Sequence, residues 1–124
     1  MSEANGMSEY TMAIIVNSSL KMSAGKTAAQ SAHGAVTAAL TASEIRLEVL
    51  EAWLAQGQRK ICLRGRDESV LLSLENKCGK KRIQYTEIRD AGLTEIPANS
   101  LTVVVLGPGS KSKIESLTSQ LHLY

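Results

Sequence analysis

Apolar residues along this chain keep two different rhythms, and the places where one gives way to the other outline its elements. Residues 10–16 (YTMAIIV) form a short apolar run of strand length, which Asn17, Ser18 and Ser19 interrupt. From about residue 25 to 40 the period lengthens. Ala28, Ala29, Ala32, Ala35, Val36 and Ala39 recur at helical spacing, predicting a helix whose alanine face can lie close to whatever it covers. Thr41 and Glu44 suit a capping box, so a second helix is expected to about Gln56, with Ile45, Val49, Trp53 and Leu54 inward and Gly57 as its stop.

Residues 60–64 read as a second strand. Asp67 can then cap a helix carrying Val70, Leu71, Leu74 and Cys78, closed by Gly79. Residues 82–88 alternate as a half-exposed strand does, whereas residues 101–106 (LTVVVL) suit a central strand buried on both faces. Gly107, Pro108 and Gly109 predict a turn, and Ser112 with Glu115 a capping box for a last helix bearing Ile114, Leu117 and Leu121. The order is β-α-α-β-α-β-β-α without repeat or linker: a single compact α/β domain over residues 10–124, behind a polar N-terminal tail at residues 1–9.

Composition sharpens this picture in two ways. Phe is absent and aromatics make up only 3%, so the core must be built from Ala, Val, Ile and Leu. The net charge of +2 hides clusters of cations: Lys77, Lys80, Lys81 and Arg82 around a turn, Arg59, Lys60, Arg64 and Arg66 around the second strand, and Lys111 and Lys113 before the last helix. Such clusters suit either a phosphate backbone or an ordinary solvated surface. Cys62 and Cys78 have no CxxC partner or adjacent histidine, so reduced buried thiols in a cytoplasmic protein are expected in place of a zinc site. No run of about 18 apolar residues suggests a membrane span, and the opening MSEANGMSEY lacks the basic-then-apolar pattern of a signal peptide.

Chemistry concentrates in two stretches. In SAGKTAAQSAH, residues 23–33, Gly25, Lys26 and Thr27 resemble the end of a phosphate-cradling loop, but Leu20 stands where the first glycine of G-x-x-x-x-G-K-[ST] belongs. A nucleotide-binding enzyme is therefore disfavoured. Lys26, Gln30 and His33 share one side of the predicted helix, beside its alanine face, and Lys26 lies in the first turn, where free N–H groups attract anions. The same spacing also suits a plain solvated stripe. The second stretch, RDAGLTEIPANSLT at residues 89–102, gathers Asp90, Thr94, Ser100 and Thr102 in a loop between strands, a place that serves either a site or simple turn chemistry.

Taken together, LKMSAGKTAAQSAHGAV at 20–36, Trp53 with GQRKI at 57–61, IRDAGLTEIPANSLTVVVLGPG at 88–109 and the closing LHLY resemble the archaeal and eukaryotic peptidyl-tRNA hydrolases, over nearly the whole chain. The resemblance implies a four-stranded mixed sheet flanked by helices, often dimeric. It also implies hydrolysis of the ester between peptide and tRNA, with peptidyl-tRNA as partner, no cofactor, no metal and no membrane. Carried over by matching positions, the catalytic residues are Lys26, Asp90, Thr94 and Thr102. Lys21, Gly25, Gln30 and His33 fall at substrate-binding positions, and the cluster of Lys77, Lys80, Lys81 and Arg82 becomes the expected tRNA-binding patch.

The mechanism implied has water attack the ester carbonyl while Asp90 orients or deprotonates it, directly or through a threonine hydroxyl. Lys26 and the helix N-terminus then stabilise the oxyanion or hold the terminal phosphate. Family members usually carry charges where this chain has Asn17 and Ser19, and a glycine and a basic residue where it has Ser23 and Ala24. Those departures motivate a rival reading, a turnover-impaired family member that binds RNA or protein.

Overall fold

The computed structural model describes residues 8–92 and 95–124. Strand β1 (Tyr10–Asn17) leads through a 3-10 turn (Ser18–Leu20) into α1 (Ala24–Ile45) and α2 (Leu47–Ala55). Strand β2 (Lys60–Gly65), α3 (Glu68–Lys81), β3 (Tyr85–Arg89), β4 (Leu101–Ser110) and α4 (Lys111–Thr118) follow. The expected order is therefore observed. The sheet is mixed, with spatial order β2-β1-β4-β3; β1 pairs parallel with β2 and antiparallel with β4, which pairs antiparallel with β3.

Strand alternation divides the core into two layers. Tyr10, Met12, Ile14 and Val16 of β1, with Val103 and Val105 of β4, meet Ala38, Ala42, Val49, Leu50 and Trp53 of α1 and α2. On the opposite face Ala13, Ile15, Val104 and Leu106 meet Leu71, Leu74 and Cys78 of α3 and Ile114 and Leu117 of α4. Both central strands are thus covered on two sides, which explains why their sequences are so nearly continuous in apolar residues.

The inner face of α1 differs from the expected alanine face. Its buried residues are Thr27, Gln30, Gly34, Ala38 and Ala42, while Ala28, Ala29 and Ala32 are exposed and Val36 is 59% exposed. Close approach selects this face. A Cβ added to Gly34 would lie 2.7 Å from the Val105 side chain, so the helix rests on β4 at its glycine.

Other boundaries move for reasons of capping and packing. The first helix runs on through Thr41 and Glu44 to Ile45, so no capping box forms there; α2 begins after Arg46 without a side-chain cap. Val49 and Trp53 point inward as expected, but Ile45 and Leu54 are exposed. Asp67 does cap α3, accepting from Val70 N–H, yet the helix passes Gly79 and ends at the left-handed Arg82 (φ 57°), which leaves β3 to begin at Tyr85. Gly107, Pro108 and Gly109 stay within β4, pairing on toward Thr11 and Tyr10; a Cβ on Gly107 would lie 2.8 Å from the Thr11 carbonyl oxygen. Ser110 caps α4 in place of Ser112. Both cysteines are free, and Cys78 is buried as expected, but Cys62 on the edge strand β2 is exposed. Among the described residues no helix is long and apolar enough to cross a membrane.

One electrostatic feature ties α3 to β3. Burial, then the hydrogen bond to Glu87 and its charge, pushes the Glu75 carboxyl from an ordinary 4.5 up to about 7. The bond from Glu75 holds Glu87 below the usual carboxylate range, helped by the Arg89 guanidinium. Folding favours neutral Glu75, so this contribution to stability is full below about pH 4.5 and is lost as pH rises through about 7. Thermal unfolding followed between about pH 5 and pH 8 should show that loss, and Glu75→Gln should flatten it; an equally steep decline in the variant would contradict the shared proton.

Candidate active site

The helix that begins at Ala24 meets the sheet where β1 and β3 end and β4 begins. Its start is fixed locally: Lys21 takes a left-handed conformation (φ 49°) after the 3-10 turn, and the Ser23 hydroxyl accepts from Lys26 N–H at 3.1 Å. Asn17 binds the strand ends at this point. Its Nδ2 donates to the Leu101 carbonyl at 2.9 Å, and its Oδ1 accepts from both N–H and hydroxyl of Ser19. Asn17 and Ser19, two of the four departures from the resemblance, therefore strap β1 to β4 and shape the turn into α1.

Lys26 reaches inward from the first turn. Its Nζ lies 2.5 Å from Asp90 Oδ1, with the lysine side chain 14% exposed and the aspartate 1%. Asp90 follows β3 directly, and its second oxygen accepts from Gly92 N–H at 2.8 Å. A carboxylate so enclosed is affordable only because a cation and a backbone amide both face it. Sequence spacing placed these residues 64 positions apart; the fold makes them one charged unit.

One turn along α1, Gln30 donates to the Thr102 hydroxyl at 2.8 Å, and that hydroxyl donates to the Ile88 carbonyl at 3.1 Å. The ladder explains why Thr102 is available. Val103 pairs with Ile88 and Leu101 with Arg89, so Thr102 is the extra residue of a β-bulge on β4. The bulge interrupts the ladder, and the threonine hydroxyl satisfies the carbonyl left open beside it. Gln30, expected beside the packed face, is instead within it.

The remaining sequence-derived residues are placed unevenly. Gly25 is exposed in the first turn of α1, and Lys21 is exposed just before it. His33 is exposed, outside the hydrogen bonds that join Lys26, Asp90, Gln30 and Thr102. Ser100 closes the loop on itself, its hydroxyl donating to Pro97 O at 2.7 Å. Thr94 lies outside the described residues. Lys77, Lys80, Lys81 and Arg82 are exposed at the far end of α3, on the opposite layer of the sheet. At about 1.5 Å per residue, α3 carries them on the order of 20 Å away from the end at which the Lys26/Asp90 pair sits.

The residues missed by the sequence reading are those that act through backbone groups. Glu95 Oε1 accepts from Ser23 N–H at 2.7 Å, which ties the loop after Asp90 to the cap of α1. Arg64 and Arg66, already read from the sequence as cations around the second strand, line a groove with Ser18 and His122 at the end of β2 that pairs with Asn17. Nothing in residue spacing signals the Glu95 contact.

Comparison with known proteins agrees with this architecture. Residues 10–124 match the family model described as Peptidyl-tRNA hydrolase PTH2. The chain is 46% identical over 115 residues to the peptidyl-tRNA hydrolase of Staphylothermus marinus, covering 93% of this chain and 95% of the relative. It is 41% identical over 117 residues to that of Thermococcus sibiricus (94% and 99%), and 36% identical over 114 residues to one of Methanococcus maripaludis (92% and 98%). With the match running from the first residue of β1 to Tyr124, and relatives aligned over nearly their full lengths, this chain belongs to the peptidyl-tRNA hydrolase PTH2 family.

Proposed function

We propose that the chain hydrolyses the ester joining a peptide, or an N-blocked amino acid, to tRNA, and so recycles tRNA in the cytoplasm. The observation that carries this reading is the buried contact of Lys26 with Asp90 at the start of α1. Family membership supplies the substrate class, and the pair supplies the chemistry.

Asp90 is almost fully enclosed while Lys26 covers it, and the lysine is the more exposed partner. Substrate entry therefore acts on Lys26 first. As the ester carbonyl takes the ammonium, assisted by the N-terminus of α1, Asp90 Oδ1 becomes free to receive a proton. Water attacks the carbonyl carbon and gives that proton to Asp90. The tetrahedral oxyanion rests on Lys26, and its collapse breaks the bond to the ribose oxygen, which takes the proton back from Asp90. The new peptide acid gives up its remaining water-derived proton to solvent, and peptide carboxylate and free tRNA leave.

In this scheme Thr102 does not relay the proton, because its hydroxyl already donates to Ile88 O and accepts from Gln30. Its role, with Gln30, is to fix α1 against the bulge beside Asp90. Lys21, Gly25 and His33 serve as substrate contacts, and Thr94 keeps the catalytic part that the resemblance gives it. The lysine cluster at residues 77–82 meets the body of the tRNA beyond the ester. A homodimer completes the reading, supported by Val36 and Leu40, which are 59% and 63% exposed one turn apart on the outer side of α1.

Release of free tRNA from an N-blocked aminoacyl-tRNA tests the chemistry. Lys26→Ala and Asp90→Ala should each lower kcat by about 10²–10⁴ at matched folding; near-normal turnover in both would sink the assignment. A wild-type chain that binds tRNA without turning over would favour the binding-module alternative. Replacing the three lysines at 77, 80 and 81 with serine should reduce the salt slope of tRNA affinity by about one unit per lost phosphate contact, and an unchanged slope removes the cluster from the interface. Sedimentation of Leu40→Glu should give monomers where wild type gives dimers; a monomeric wild type refutes the dimer.

A further inference from the structure

Asp90 is held by its carboxylate on one side and by its backbone on the other. Its N–H donates to Ser100 O at 2.9 Å, and its carbonyl accepts from Asn99 N–H at 2.9 Å. Loop base and catalytic position are thus one unit, and whatever fixes Asn99 fixes Asp90. Asn99 itself is left-handed (φ 69°), a conformation asparagine tolerates better than most residues but which offers little intrinsic preference for holding its carbonyl in place.

Arg89 holds that carbonyl. Its Nη1 donates to Asn99 O at 3.0 Å, while its Nε donates to Glu87 Oε1 at 2.7 Å. Glu68, in the first turn of α3, stands 3.7 Å from the same Nη1. The side chain therefore runs from β3 across the outside of the loop base, anchored at its root by Glu87 and steadied by α3.

We infer that Arg89 is a positioning residue for the hydrolase reaction: its fork joins Glu87 to the Asn99 carbonyl and so sets where the Asp90 backbone, and with it the Asp90 carboxylate, stands against Lys26. Two directed N–H donors at fixed angle are required, which a guanidinium supplies and an ammonium does not. Small displacements at a reacting group carry large rate penalties, so the contribution appears in kcat.

The inference rests on the proposed hydrolysis, and the test separates the two. With the full chain and an N-blocked aminoacyl-tRNA, Arg89→Ala and Arg89→Lys should both lower kcat between about tenfold and a hundredfold, with KM and the salt dependence of binding unchanged. Loss of kcat in neither variant overturns the role. So does a loss confined to Arg89→Ala, with KM raised and the salt slope flattened, because rescue by lysine would mark a phosphate contact instead. Hydrogen exchange gives a second reading independent of turnover: the Asp90 and Asn99 amides should exchange faster in Arg89→Lys than in wild type. Unchanged exchange there overturns the clasp even if the chain proves inactive, and an inactive wild type with the exchange difference intact leaves Arg89 in place while removing the hydrolase reading. Should Arg89→Ala fail to fold, Arg89→Lys carries both measurements.

Discussion

A carboxylate 1% exposed beside an ammonium 14% exposed can persist only where two elements are forced together, and the approach of α1 to β4 provides that force. Gly34 lets the helix axis settle on Val105, and the first turn of the helix then hangs over the end of β3, where Asp90 stands. Gln30 lies between these points and reaches the bulged Thr102. From Gly34 toward the N-terminus the buried face of α1 changes from apolar packing to polar pairing. The site is therefore an extension of the core, made where the helix overruns the apolar part of the sheet.

This placement also explains the irregularities around it. A β-bulge at Thr102 costs a ladder bond but turns a hydroxyl toward α1, and the hydroxyl itself replaces the lost partner of Ile88. Asn17 supplies the bond that closes β1 to β4 on the same end. Neither residue carries charge, and together they leave Lys26 and Asp90 as the paired ions of the enclosed site. Low local dielectric then strengthens what that pair can do to a carbonyl group.

The mistaken helix face is instructive. Alanine counts as apolar in a periodicity reading, yet it has so little side chain that burying it gains little over leaving it exposed. The face that packs is decided by where the backbone can come closest and by which polar groups find partners, and Thr27, Gln30 and Gly34 won over Ala28, Ala29 and Ala32 on those grounds. Helix ends shifted for a similar reason. Gly79 is a better intrinsic stop than Arg82, but Cys78 lies in the second layer of the core, and Ile83 N–H returns to the Cys78 carbonyl only if the helix continues past the glycine.

What the sequence determined by itself was the set of elements and their order, because strand and helix periods and the Asp67 cap are local properties of consecutive residues. It also carried the family, through motifs spread over the chain, and with it the residues worth inspecting. Only the tertiary structure decided that Lys26 and Asp90 touch, that Gln30 is buried, that Thr102 is a bulge, and that the lysines of α3 lie at the far end. Those facts depend on which strand neighbours which and on how closely a helix may approach a sheet. Such distances are set by packing between residues far apart in the chain, and no local pattern encodes them.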